Sequence, residues 1–228
     1  MGRLTPLSQP TDLPAGLRVW HLRLDLDRDY DDDFTVLAED ERVRAARYHQ
    51  ATDRRRYVQT RACLRRLLAQ SLGCQPATVP LQAGPQGKPV LAGERHPAFN
   101  LSHAGEHAYL ALAEKTSTDT VGIDIEQCLP PGPLPGWLTL ACDPEEAEAI
   151  LRADDPPARL ILHWVAKEAV LKALGTGLSG KPSGVRVLPP GEGDTLVLHA
   201  GPAQARGLRL MRLAAPPGYT AALAWRDG

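Results

Sequence analysis

The sequence predicts an α+β fold made of two halves. Each half contains short alternating segments bounded by Gly/Pro turns, the pattern of antiparallel strands, and each contains a long helical run with defined ends. With 228 residues, 43% hydrophobic and 23% charged, the chain has the composition of a soluble globular protein with a sizeable core. A formal net charge of -1 argues against a global field for nucleic acid. No apolar run reaches the length of a membrane span, and Met-Gly-Arg-Leu-Thr-Pro at the start lacks the apolar core of a signal peptide. Cys63, Cys74, Cys128 and Cys142 are widely spaced without a C-x-x-C, so a reducing cytoplasm is expected.

Residues 1 to 16 read as an irregular arm rich in proline. Leu17 to Leu26 alternates as a half-buried strand, and the six aspartates between Asp25 and Asp33 read as a solvated loop. A first helix spans about Ala38 to Tyr48, with Glu39, Asp40 and Glu41 matching the dipole of its first turn. A second runs from Asp53 as N-cap to Leu72-Gly73, with the apolar stripe Tyr57, Leu64, Leu67, Leu68 and Leu72. Arginines 47, 54, 55, 56, 61, 65 and 66 make a local basic patch that suits a phosphate-bearing ligand.

Gly84 to Leu91 is a turn with Lys88 at its tip, followed by Phe99-Asn100-Leu101-Ser102-His103 and the strand Ala108 to Ala113. The polar stretch 114 to 120 divides the halves, giving units 1–118 and 119–228. Val121 to Glu126 alternates strictly, so Val121, Ile123 and Ile125 share one strand face while Asp124 and Glu126 share the other. Residues 129 to 136 form a proline-glycine loop, and Asp143-Pro144-Glu145-Glu146 starts a helix with a capping box. The helix of 161 to 178 begins behind Asp155-Pro156-Pro157 and stops at Gly175 in a left-handed position. Within it Trp164, Glu168 and Lys172 fall on one face. Four short strands near 185–188, 195–199, 208–213 and 220–225 complete the chain.

Asp124, Glu126 and Glu168 are hard oxygen donors suited to one divalent cation such as Mg²⁺, and Lys88, Lys167, Lys172 and the arginine helix supply countercharge for phosphates. Such a set points to phosphoryl transfer or pyrophosphate hydrolysis.

Gly122-Ile123-Asp124-Ile125-Glu126 and Trp164-Val165-Ala166-Lys167-Glu168-Ala169-Val170-Leu171-Lys172 resemble the two signature motifs of the 4′-phosphopantetheinyl transferases. Gly87-Lys88-Pro89 and Asn100-Leu101-Ser102-His103 resemble that family's upstream coenzyme A contacts, and the length is similar to its monomeric, surfactin-synthetase-activating type. The resemblance implies two similar halves about a pseudo-twofold axis, with the active site in the cleft between them. It implies transfer of the 4′-phosphopantetheine arm of coenzyme A to a serine of an apo acyl, peptidyl or polyketide carrier protein. Under it, Asp124, Glu126 and Glu168 hold Mg²⁺, and Glu168 takes the serine proton directly or through water. Lys172 and Lys167 neutralise phosphate charge, while Lys88, Ser102, His103, Arg44 and Arg56 contact the nucleotide end. Glu41 stands where some members carry a lysine. The alternatives are a metal-dependent coenzyme A pyrophosphate hydrolase and a non-catalytic coenzyme A-binding protein.

Overall fold

The computed structural model describes residues 3–7, 13–29, 31–84, 88–93, 97–114, 118, 120–130, 132–176, 181–188 and 195–227. Gly87, Pro131, 115–117 and 177–178, which carry parts of the expected turn, loop, boundary and helix end, lie outside them.

The alternating segments pair as antiparallel strands. In the first half, β1 (Arg3–Pro6), β2 (Leu17–Arg23), β6 (His107–Ala113) and β5 (Ala98–Ala104) form one sheet in that order. In the second, β7 (Val121–Gln127), β11 (Tyr219–Arg226), β10 (Leu208–Leu213), β9 (Thr195–Ala200) and β8 (Arg186–Leu188) form another. The two halves repeat one topology. A first strand (β2 or β7) leads through helices to a hairpin (β5–β6 or β10–β11) whose last strand returns to pair with the first. β3 (Leu81–Ala83) and β4 (Pro89–Leu91) pair as a small hairpin, with Lys88 just before its second strand.

Each large sheet bears one long helix. Helix α3 (Ala51–Leu72) covers the first sheet through Leu64, Leu67 and Leu68 against Leu22, Ala108 and Leu110. Helix α6 (Pro156–Ala173) covers the second, with Val165, Ala166, Ala169 and Val170 against Ala222 and Ala224. The remaining faces of the sheets meet in a shared core, where Leu17, Val19, Tyr109 and Ala111 pack with Val121, Ile123, Ile125, Leu223 and Trp225. That core removes the large apolar surface that either sheet would otherwise expose.

Helix α6 ends as expected. Gly175 has φ +73°, and the N–H groups of Gly175 and Thr176 donate to the carbonyls of Lys172 and Leu171, both at 3.1 Å. Three local expectations need correction. The arm contains β1, because residues 3–6 pair with residues 20–23 of β2. The loop closes into helix α4 (Leu134–Ala141), whose prolines sit at its start, where they lack only N–H groups that have no helical partner. The aspartate run contains α1 (Asp31–Thr35), and Asp33 is buried there against Arg66, Oδ1 to Nη1 2.5 Å.

The basic patch is corrected in the same way. Asp29 takes Arg54 and Arg55, Asp53 takes Arg56, and Glu41 takes Arg65 at 2.5 Å and Arg61 at 3.5 Å. Glu41 belongs to α2 (Glu39–Ala46) and also caps its start by accepting the Ala38 N–H. These arginines are neutralised within the fold, so they offer far less field to a ligand than their number suggests.

Candidate active site

The site begins at Gly122. A Cβ at that position would stand 2.1 Å from the carbonyl oxygen of Ala169 and 2.4 Å from the nitrogen of Ala173, so only glycine lets α6 lie this close to β7. The alternation of β7 then does the sorting. Ile123 and Ile125 point into the shared core, and Asp124 and Glu126 point toward α6. Glu168 and Lys172, one turn apart, meet them there.

Lys172 Nζ donates to Asp124 Oδ1 at 2.6 Å and to Ser102 Oγ at 2.9 Å, and Ser102 Oγ donates to the same Asp124 oxygen at 2.7 Å. Ser102 lies on β5, in the other half. Two residues back, Asn100 Oδ1 accepts the Ile123 N–H at 3.1 Å. Side chains of β5 thus fasten it to β7 where no backbone ladder does. Lys88 reaches the same place from the small hairpin, donating to the carbonyl of Lys172 at 2.8 Å.

The electrostatics are those of acids crowded without enough countercharge. Asp124 and Glu168 are buried, and Asp124 Oδ2 and Glu168 Oε1 have no hydrogen-bond partner among the described residues. Burial, and then the Asp124 charge, raise the Glu126 carboxyl to about 7. The same two causes raise Glu168, with Lys172 opposing both shifts. Burial, then Lys172, push Lys88 down. Partial burial, followed by the Arg56 guanidinium, holds His103 below the ordinary imidazole range. Arg56 donates from Nε to the Gly105 carbonyl at 3.1 Å, beside that histidine. Arg44 is exposed, with its guanidinium 5.2 Å from the centre of the Tyr57 ring.

Asp124, Glu126, Glu168, Lys172, Ser102 and Lys88 therefore come together, and Arg56 and His103 adjoin each other. Among the described residues, no three His, Cys, Asp or Glu side chains close to the spacing of a ready-made metal cage. The donor set nevertheless fits a hard divalent cation: three carboxylates, two with a buried oxygen that no group among the described residues satisfies.

Lys167 is a correction. In place of the phosphate contact that the resemblance implies, its ammonium is wholly buried on another side of α6, bonded to Glu146 Oε2 at 2.6 Å and the Ala141 carbonyl at 2.7 Å. Helical phase explains this, since adjacent residues are turned about 100° from each other. Sequence reading also missed what Ser102, Asn100 and Glu146 do. The capping box flagged Glu146 as a helix start, but nothing local pointed to Lys167 as its partner.

Residues 120–224 match the model of the 4′-phosphopantetheinyl transferase superfamily, and residues 26–116 match the model described as 4′-phosphopantetheinyl transferase, N-terminal. The 4′-phosphopantetheinyl transferase HetI of Nostoc sp. is 33% identical over 74% of this chain and 73% of its own. The Synechocystis sp. protein slr0495 is 34% identical over 64% of this chain but only 59% of its own length. Among solved structures, the holo-acyl-carrier-protein synthase of Thermotoga maritima aligns with TM-score 0.39 and 21% identity, over 49% of this chain and 65% of that one.

Proposed function

Because the chain belongs to the 4′-phosphopantetheinyl transferase superfamily, we propose that it transfers the 4′-phosphopantetheine arm of coenzyme A to a serine of an apo carrier protein, leaving adenosine 3′,5′-bisphosphate. The observation that carries this reading is the buried acid cluster on β7 and α6 with Lys172 and Ser102 bonded into it.

Asp124, Glu126 and Glu168 would hold Mg²⁺, which supplies charge neutralisation at the coenzyme A pyrophosphate. The serine Oγ forms a bond to the phosphorus on the pantetheine side, and the bond from that phosphorus to the bridging oxygen breaks. Glu168 accepts the serine proton, directly or through water. Its raised carboxyl suits a base more than an ordinary glutamate would. Lys172 offsets the charge that gathers on the departing bisphosphate. Lys88, His103, Arg56 and Arg44 take the nucleotide end, and Ser102 contributes by orienting Asp124.

The carrier docks on the second half, along the segment between the two acidic motifs. Leu129, Leu140 and Leu151 are exposed there, next to the helix that holds Glu168. The protein acts as a monomer in a reducing cytoplasm, in keeping with its four free cysteines.

The test is incubation with coenzyme A, Mg²⁺ and a panel of apo carrier proteins, read by intact mass. A gain of one phosphopantetheine on a carrier supports the reading. Phosphopantetheine released with no carrier modified would indicate a hydrolase instead.

A further inference from the structure

We propose that Lys167 is a positioning residue, which through Glu146 and the Ala141 carbonyl fixes the α4–α5 segment against the helix carrying Glu168 and so sets where a docked carrier presents its serine. The inference rests on the transferase reading above.

The Lys167 ammonium is wholly buried. It donates to the carbonyl of Ala141, the last residue of α4, and to Glu146 Oε2 in the first turn of α5 (Pro144–Leu151). The same Glu146 oxygen accepts the Asp143 N–H at 3.1 Å, and its other oxygen accepts the Val187 N–H of β8 at 3.0 Å. His163, a turn before Lys167, brings Nδ1 to 3.7 Å from that second oxygen. The Glu146–Lys167 pair thus joins the end of α4, the start of α5, α6 and β8. Burial opposes its ionisation, but His163, Lys167 and the Val187 N–H hold it ionised, at about 2.

Stability alone is a weak reason for such a pair, because well-packed apolar side chains replace buried ion pairs at little or no cost. The pair does what apolar contact cannot. Its short directed bonds fix both distance and angle between the α4–α5 junction and residue 167. The next residue is Glu168, which faces Asp124 across the seam. Leu140 at the end of α4 and Leu151 at the end of α5 are 55% and 57% exposed, so the segment that Lys167 anchors carries two exposed apolar side chains that a partner can cover. Trp137 of α4, edge-on to Trp164 of α6 at 4.9 Å, braces the same segment one turn away.

The experiment compares wild type, Lys167→Met, and the double variant Glu146→Met/Lys167→Met, using coenzyme A, Mg²⁺ and an apo carrier that wild type modifies. The single variant leaves Glu146 buried without its cation and loses thermal stability. The double variant regains that stability. If the pair positions the carrier, kcat/KM for the carrier stays about tenfold to hundredfold down in the double variant while KM for coenzyme A is unchanged. Wild-type carrier kinetics in a restabilised double variant would overturn the proposal. Should the double variant fail to fold, Lys167→Arg keeps the charge but lengthens the link. The same split between carrier and coenzyme A is then expected, and wild-type carrier kinetics would again overturn the proposal. If wild type modifies no carrier at all, the transferase reading fails instead.

Discussion

Gly122 and Ala169 touch so closely that a single added methyl group would collide with backbone: the Cβ would lie 2.1 Å from the Ala169 carbonyl oxygen. The strand with Asp124 and the helix with Glu168 are held at the spacing this contact allows. Gly122→Ala must push α6 outward, at a cost of ~1–3 kcal/mol as overpacking. Chemical denaturation is expected to show that loss, and transfer activity to fall further than the stability loss accounts for. Wild-type stability and rate would show that the seam tolerates displacement.

Glu168→Gln separates a base or metal ligand from a surface partner. Gln keeps the shape but removes both the charge and the proton acceptor. Loss of a general base costs ~10²–10⁴-fold in kcat. The apo protein should be as heat-resistant as wild type or more so, because a buried carboxyl that Asp124 repels is neutralised. Retention of more than about a tenth of the rate, well above the loss expected for a base, would contradict the assignment.

The carboxylate set predicts dependence on a divalent cation. Chelation should abolish transfer and Mg²⁺ should restore it. Mg²⁺ should also raise the melting temperature of wild type more than that of an Asp124→Asn variant. Full activity in excess chelator would remove the metal from the mechanism.

Lys88→Ala and His103→Ala should mainly raise KM for coenzyme A, by roughly ten- to hundredfold if each removes a charge-assisted contact of ~1.5–3 kcal/mol. Lys88→Ala should also lower stability slightly, because it removes the bond that ties the small hairpin to the Lys172 carbonyl. Unchanged coenzyme A kinetics in both variants would detach these residues from the nucleotide end.

The Glu126 carboxyl gives a pH signature in chelator. Its folded value, about 7, lies above the ordinary glutamate value of 4.5, so the folded state favours the protonated form. The stability this contributes is fully present below the unfolded value and is lost as pH rises through about 7. Glu126→Gln is therefore expected to raise the denaturation midpoint relative to wild type at pH 8 and to leave it nearly unchanged at pH 4. An equal effect at both values would mean that Glu126 is not held up in the apo protein.

Much of the site was legible because its signals are local and periodic. Strict alternation assigned Asp124 and Glu126 to one face of β7, four-residue spacing assigned Glu168 and Lys172 to one face of α6, and Gly175 marked that helix's end. These follow from the twofold period of a strand and the 3.6 residues of a helical turn, which a sequence carries by itself. Which charges meet was decided only in the tertiary structure. Lys167 looked like a phosphate ligand until α5 brought Glu146 to it from 21 positions away. The arginines of α3 looked like a binding surface until Asp29, Asp33 and Glu41 of the preceding segment, and Asp53 of α3 itself, neutralised them. Ser102 met Asp124 only when the two halves closed. An ion pair or hydrogen bond needs its partners within about 3 Å, and contacts between distant elements depend on packing that no local period encodes.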